Sequence, residues 1–244
     1  MKYRNAPIAE SVIDFRVRFR EEPNFSALQK STKQFSSAFP KIDPHRQTAI
    51  KVTFNPAAKR PSVEHKQIGF ILRSSEPPRV LQFQQGGFAY SHLAPYTSWE
   101  EFLPEAQRYW AVYSADLRPE AVTRCAIRTI NRVVVPESQF SIEKYFRVFP
   151  ETPNDLGPGT SSFALQVVLP QPTIGKDAHA IINFGPGERE SFDSSVIILD
   201  IDLYVTMDVP ARSEEIWSTL ESLHRRRNEL FEACITDDTR KLFS

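Results

Sequence analysis

Apolar and polar residues alternate along "SVIDFRVRFR", residues 11–20. Ile13, Phe15, Val17 and Phe19 fall on one face of an extended chain, and Asp14, Arg16, Arg18 and Arg20 on the other. A period of two marks a strand with one buried face. The period then changes: Phe25, Leu28, Thr32, Phe35 and Phe39 recur at helical spacing behind Asn24, a good N-cap, and predict a helix over 24–38. Three strand-like runs follow, "QTAIKVTF", "QIGFILRS" and "RVLQFQQGGFAYS". The next helix is predicted over "SWEEFLPEAQRYWAVYSADL". Ser98 and Glu101 make its capping box, Phe102, Ala106, Trp110 and Tyr113 its stripe, and Pro104 kinks or delays its start.

The order then begins again. "VTRCAIRTINRVVV" reads as a strand ended by Pro136, "SIEKYFRVF" as a short helix, and the turn-rich "PETPNDLGPGTS" as a mobile linker. Strands "SFALQVVLPQ", "AHAIINFG" and "SVIILDIDLYVTMD" lead to a last helix from Ser213, which carries Trp217, Leu220, Leu223, Leu230, Phe231 and Cys234. "ITDDTRKLF" reads as a cap and a short terminal turn. Runs of strands followed by a helix predict an α+β fold, with antiparallel sheets and helices on one face. The expected organisation is two tandem β-α-β-β-β-α halves, 1–118 and 119–244, in one compact unit. They would join edge to edge as a saddle or face each other as a helix-grip cavity. The alternative is one irregular α+β domain whose halves match by chance.

Composition adds bounds. A chain of 244 residues builds a core without a disulfide or metal to staple it. Thirty basic and thirty acidic side chains cancel, which removes a global basic field for nucleic acid but leaves room for a local patch. Cys125 and Cys234 lie far apart and read as small buried hydrophobes of a reducing compartment. The first residues lack the apolar stretch of a signal peptide, and Asp200 and Asp202 interrupt "SVIILDIDLYV". A cytoplasmic protein without membrane contact is expected.

Four stretches carry a resemblance: "YRNAPIAESVIDFRVRF", "LQFQQGGFAYSHLAPYTSWEEF", "RTINRVVVP" and "LHRRRNELFEACITDDTRKLF". In order and across nearly the whole chain, they resemble a sporadically distributed bacterial family of uncharacterised proteins. Its patchy distribution looks like that of mobile-element, toxin–antitoxin or antiviral loci. The resemblance implies no catalytic residues.

Motifs with built-in chemistry are missing. No phosphate-cradling GxxxxGK[ST], no GxGxxG, no GxSxG and no HExxH occurs, and the five histidines show no ligand spacing. No metal, cofactor or catalytic residue is therefore assigned. What stands out is the charged strand faces. Asp14, Arg16 and Arg18 share the first, Arg124, Arg128 and Arg132 the fifth predicted, and Asp200, Asp202, Tyr204 and Thr206 the last.

These faces support three readings. They are cross-strand pairs on a solvated sheet, or a groove whose arginine forks take phosphate or carboxylate, or an Mg²⁺ site of Asp200 and Asp202 with Asp14 or Asp193. On the last helix, Arg225 and Arg226 point outward as partner-contact candidates, while His224 and Arg227 flank the apolar stripe. "FRVRF" interleaves arginine with phenylalanine but sends them to opposite faces, which weakens a single-strand nucleic-acid reading. The expected role is a non-catalytic binding or regulatory module that recognises a protein partner or an anionic ligand over its sheet. The first alternative is a nucleic-acid-backbone binder of a CRISPR-associated or toxin–antitoxin system, using Arg16, Arg18, Arg124 and Arg128. The second is a metal-dependent phosphoryl-transfer enzyme using Asp200 and Asp202.

Overall fold

The alternating segments pair into a single sheet. The computed structural model describes residues 3–51, 62–151, 153, 155, 162–189 and 191–244, with backbone only at 49–51 and 62–64. In chain order the described elements are β1 (Ile8–Arg18), α1 (Phe25–Lys33), β2 (Lys41–Lys51), β3 (Ser62–Ser75), β4 (Pro78–Gln84), β5 (Gly87–Leu93), α2 (Trp99–Leu117), β6 (Ala121–Val135), α3 (Ile142–Tyr145), β7 (Leu165–Pro170), β8 (Ala178–Pro186), β9 (Ser195–Pro210), α4 (Glu215–Cys234) and α5 (Asp237–Lys241). The nine strands run β2-β3-β4-β5-β1-β6-β9-β8-β7, and every neighbouring pair is antiparallel. The fold is α+β, as the order of patterns predicts.

Several elements differ from expectation: α1 ends at Lys33 rather than 38, and β2 begins at Lys41, ahead of the "QTAIKVTF" run. "RVLQFQQGGFAYS" is not one strand but the hairpin β4–β5, which gives four strands between α1 and α2. The apolar alternation continues through the turn and hides it; the two glycines are the turn signal. Gly87 also lets β5 approach β1, since a Cβ there would lie 2.5 Å from the Phe15 carbonyl oxygen. The "SIEKYFRVF" helix shrinks to one turn, with Phe146 already extended and bridged to Ile235. Most of the 150–161 linker and residues 52–54 of the "QTAIKVTF" run lie outside the described residues.

The caps appear where the sequence places them. Asn24 Oδ1 accepts from the Ala27 N–H at 2.9 Å, and Ser98 Oγ accepts from Glu101 N–H at 3.3 Å. The helices pack on the face that carries Phe15, Phe83, Phe88, Ile127, Ile201 and Leu203, all buried. Phe15 lies between the helices that cover the two parts of the sheet. Its ring centroid is 4.9 Å from Trp110 of α2 and 5.7 Å from Trp217 of α4. Truncating such a residue typically costs about 3–5 kcal/mol, the lost burial plus the cavity left behind. A polar cluster pins α2 to β4 and β5: Glu105 accepts from Tyr90 Oη at 2.6 Å and from Arg79 at 2.7 Å, and His92 Nε2 lies 2.7 Å away. Burial holds the His92 pKa below its ordinary value despite the neighbouring carboxylate.

Candidate functional site

On the opposite face of the sheet, the predicted arginines and aspartates meet. Arg124 donates through Nη1 to Asp14 Oδ1 and through Nη2 to Asp202 Oδ2, each at 2.8 Å. It lies over the Tyr204 ring, 4.4 Å from the centroid, and Tyr204 stacks in turn on His179. Arg128 grips Asp200 with two parallel bonds, Nε to Oδ1 at 2.8 Å and Nη2 to Oδ2 at 2.7 Å. Asn183 of β8 donates to the same Asp200 Oδ2 at 3.0 Å and accepts from Gln166 of β7 at 2.7 Å. The result is a ladder of two hydrogen-bonded clusters, Asp14–Arg124–Asp202 across β1, β6 and β9 and Arg128–Asp200–Asn183–Gln166 across β6, β9, β8 and β7.

The ladder neutralises itself. Arg16 lies 3.5 Å from Asp14, and Arg18 pairs with Asp208 at 3.0 Å and Glu120 at 3.3 Å. Bonding to Asp200 raises the Arg128 pKa, so that cation is committed. Burial raises the Asp202 pKa and outweighs the pull of Arg124. Both oxygens of Asp200 are occupied by Arg128 and Asn183, so a cation there would have to displace them. The described residues contain no cluster of three or more histidine, cysteine or acidic side chains able to hold a metal ion. On α4, Arg225 is exposed and donates within its own turn to Ser222 Oγ at 3.4 Å. Arg226 reaches Gln171 at 2.8 Å and Glu229 at 2.7 Å.

A second site lies on the helix face. A cavity of about 1130 Å³ opens between the N-terminal end of α2 and the middle of α4. The segment 3–8 walls one side, with Asn5 N–H bonded to the Phe243 carbonyl at 3.0 Å and Tyr3 Oη donating to Glu232 at 2.6 Å. Pro95, Tyr96 and Trp99 come from the turn into α2, Asn131 from β6, and His224, Arg227, Asn228 and Phe231 from one side of α4.

Arg227 is the unusual member. It is only 5% exposed, and no hydrogen bond or salt bridge from a described residue reaches its guanidinium. Burial pushes its pKa down to about 10. Two neighbours are also unsatisfied: Tyr96 Oη and His224 Nδ1 are buried without partners. Burial, with help from Arg227, lowers the His224 pKa to about 4, so the ring is neutral near pH 7. Asn228 Nδ2 lies 2.9 Å from His224 Nε2, which leaves the ring proton on Nδ1. Trp99 packs edge-on against His224 at 4.0 Å and donates to Glu221 at 3.0 Å.

Helical spacing carries a signal for Arg227. Leu220, Leu223, Leu230, Phe231 and Cys234 are buried, and Arg227 falls inside that stripe rather than beside it. An arginine at a core position of an otherwise apolar stripe announces a special environment. Tyr96, Trp99 and Asn131 carry no such mark, because only the fold brings them to α4. A scan of the sequence against protein-family models gives no match, and no curated protein matches it. The chemistry of the two sites is what remains to decide between functions.

Proposed function

We propose that this chain is a non-catalytic binding protein for an anionic ligand, and that the ligand enters the cavity beneath α4. The supporting observation is Arg227, buried and without a counter-ion among the described residues. Burying an unpaired guanidinium costs several kcal/mol, whereas one held in a carboxylate pair largely recovers that loss. A ligand that supplies the missing negative charge recovers it on binding. The planar fork of arginine suits carboxylate or phosphate oxygens, and in a site shielded from water each such bond is stronger than on the surface.

The same reasoning moves the binding role away from the sheet surface. There each arginine with a resolved contact already has its carboxylate, and an incoming anion would compete with bonds of 2.7–2.8 Å. Thermal denaturation of the full chain with added anions tests the proposal. An anion that binds the folded form raises the melting temperature with concentration, and Arg227→Met abolishes the shift. An equal shift in the variant would place the anion elsewhere and defeat the proposal.

A further inference from the structure

Resting on that anion reading, the lining of the cavity narrows the ligand further. We infer that it is a small organic monocarboxylate with an apolar body, its carboxylate on Arg227 and its body against Tyr96, Trp99 and Phe231.

Charge selects a monoanion. The lining contains two arginines, Arg4 and Arg227, and two glutamates, Glu100 and Glu232. Arg4 is exposed at the surface, so Arg227 is the buried cation among the described lining residues. A nucleotide polyphosphate would bring several negative charges to one guanidinium and past two carboxylates. A monocarboxylate brings one charge, which the single guanidinium of Arg227 matches. The usual apparatus for phosphate is also missing among the described residues, since none of those that line the space is a glycine or a lysine. The N-terminus of α2 is no substitute: Glu100 and Glu101 already sit in its first turn, and Ser98 caps the Glu101 N–H.

Shape and polarity select the body. Tyr3, Tyr96, Trp99 and Phe231 with Pro7 and Pro95 give the wall its apolar area, and a cavity of about 1130 Å³ holds a ligand well beyond acetate in size. Two unpartnered groups, Tyr96 Oη and the His224 Nδ1–H, supply hydrogen bonds to a second carboxylate oxygen or to one polar substituent. A concave apolar site with a few convergent polar groups is the usual form of a small-molecule pocket. Arg227 supplies affinity and orientation, and the rings supply the contact area.

Calorimetric titration of the full chain tests this with three sets of probes. The first is the monocarboxylates 2-naphthoate, indole-3-acetate and octanoate; the second is the neutral isostere 2-naphthylmethanol; the third is inorganic phosphate and ADP. The expected result is one site per chain for at least one carboxylate, and binding weaker by roughly tenfold or more for the alcohol and for Arg227→Met. Arg227→Lys, which keeps the charge and loses the fork, should fall between them and serves if the methionine variant does not fold. Arg227-dependent binding of phosphate or ADP without any carboxylate overturns the carboxylate class and keeps the anion site. Binding of no probe overturns both. Carboxylate binding undiminished in both arginine variants places the ligand elsewhere and overturns the inference.

Discussion

Arg128 stands directly across the ladder from Asp202, yet its guanidinium is bonded to Asp200, one diagonal step along β9. Arg124 leans the same way, over Ala126 and the Tyr204 ring, to reach Asp14 and Asp202 together. The small side chain at 126 makes room for this, since Ala126 is buried between the two arginines. Each guanidinium therefore meets a carboxylate that register alone would not assign to it.

The Arg128–Asp200 pair is unequal in exposure, and its two halves should respond differently to removal. The Asp200 side chain is 7% exposed and the Arg128 side chain 47%. Arg128→Ala strands a buried carboxylate with only Asn183 for company and should cost about 3 kcal/mol. Asp200→Asn leaves a half-exposed arginine that water can solvate, and should cost about 1 kcal/mol. Urea denaturation of the two variants measures the difference, and equal losses would contradict this account of the ladder.

The same pairing predicts behaviour toward nucleic acid. Arg16, Arg18, Arg124 and Arg128 all have carboxylate partners, so the face has little net positive charge to release counter-ions from a duplex. A labelled DNA duplex at low salt should show no binding that depends on these residues. Affinity that falls steeply with salt and drops further in Arg124→Ala would restore the nucleic-acid reading.

How much of this was legible in the sequence follows from range. Alternation in "SVIDFRVRFR" and "LDIDLYVT" separates the core face from the charged face, because neighbouring strand residues point oppositely whatever their partners. It also raises the prospect that arginines and aspartates pair. Which arginine meets which aspartate depends on register and side-chain lean, and both are set between strands far apart in the chain. The cavity is harder still to foresee. Tyr96 and Arg227 are separated by more than half of the sequence, and each looks ordinary among its immediate neighbours. The one local clue is Arg227 at a buried position of the α4 stripe, and it is lost when Arg227 is placed beside that stripe rather than within it.

Arg227 gives a prediction for stability opposite in sign to most core substitutions. In the free protein its charge is buried without compensation, so Arg227→Met replaces a desolvated cation by a flexible apolar chain of similar reach. The variant should be more stable than the wild type by roughly 1–3 kcal/mol, by the logic that favours apolar replacements of buried charges. Denaturant midpoints of the two free proteins test it. A clear destabilisation would show that Arg227 serves the fold and would remove the main support for a ligand there.

His224 makes the cavity sensitive to acid. Its folded-state pKa of about 4 lies below the ordinary 6.5, so on acidification the unfolded chain takes up this proton first. The stability tied to the neutral ring is therefore complete above about pH 6.5, declines as pH falls toward 4, and changes no further below that. The full gap corresponds to at most roughly 3 kcal/mol, less whatever water screens at the cavity mouth. Arg227 and Arg225 oppose protonation, and Glu100 favours it. His45 and His92 are also held below their ordinary values, so the wild-type profile combines several groups. The difference between wild type and His224→Gln isolates this one. Their denaturant midpoints should converge as pH falls from 7 to 4.5, because only the wild type has this proton to gain on unfolding. Parallel profiles would mean that the ring is solvated and the cavity offers it no burial.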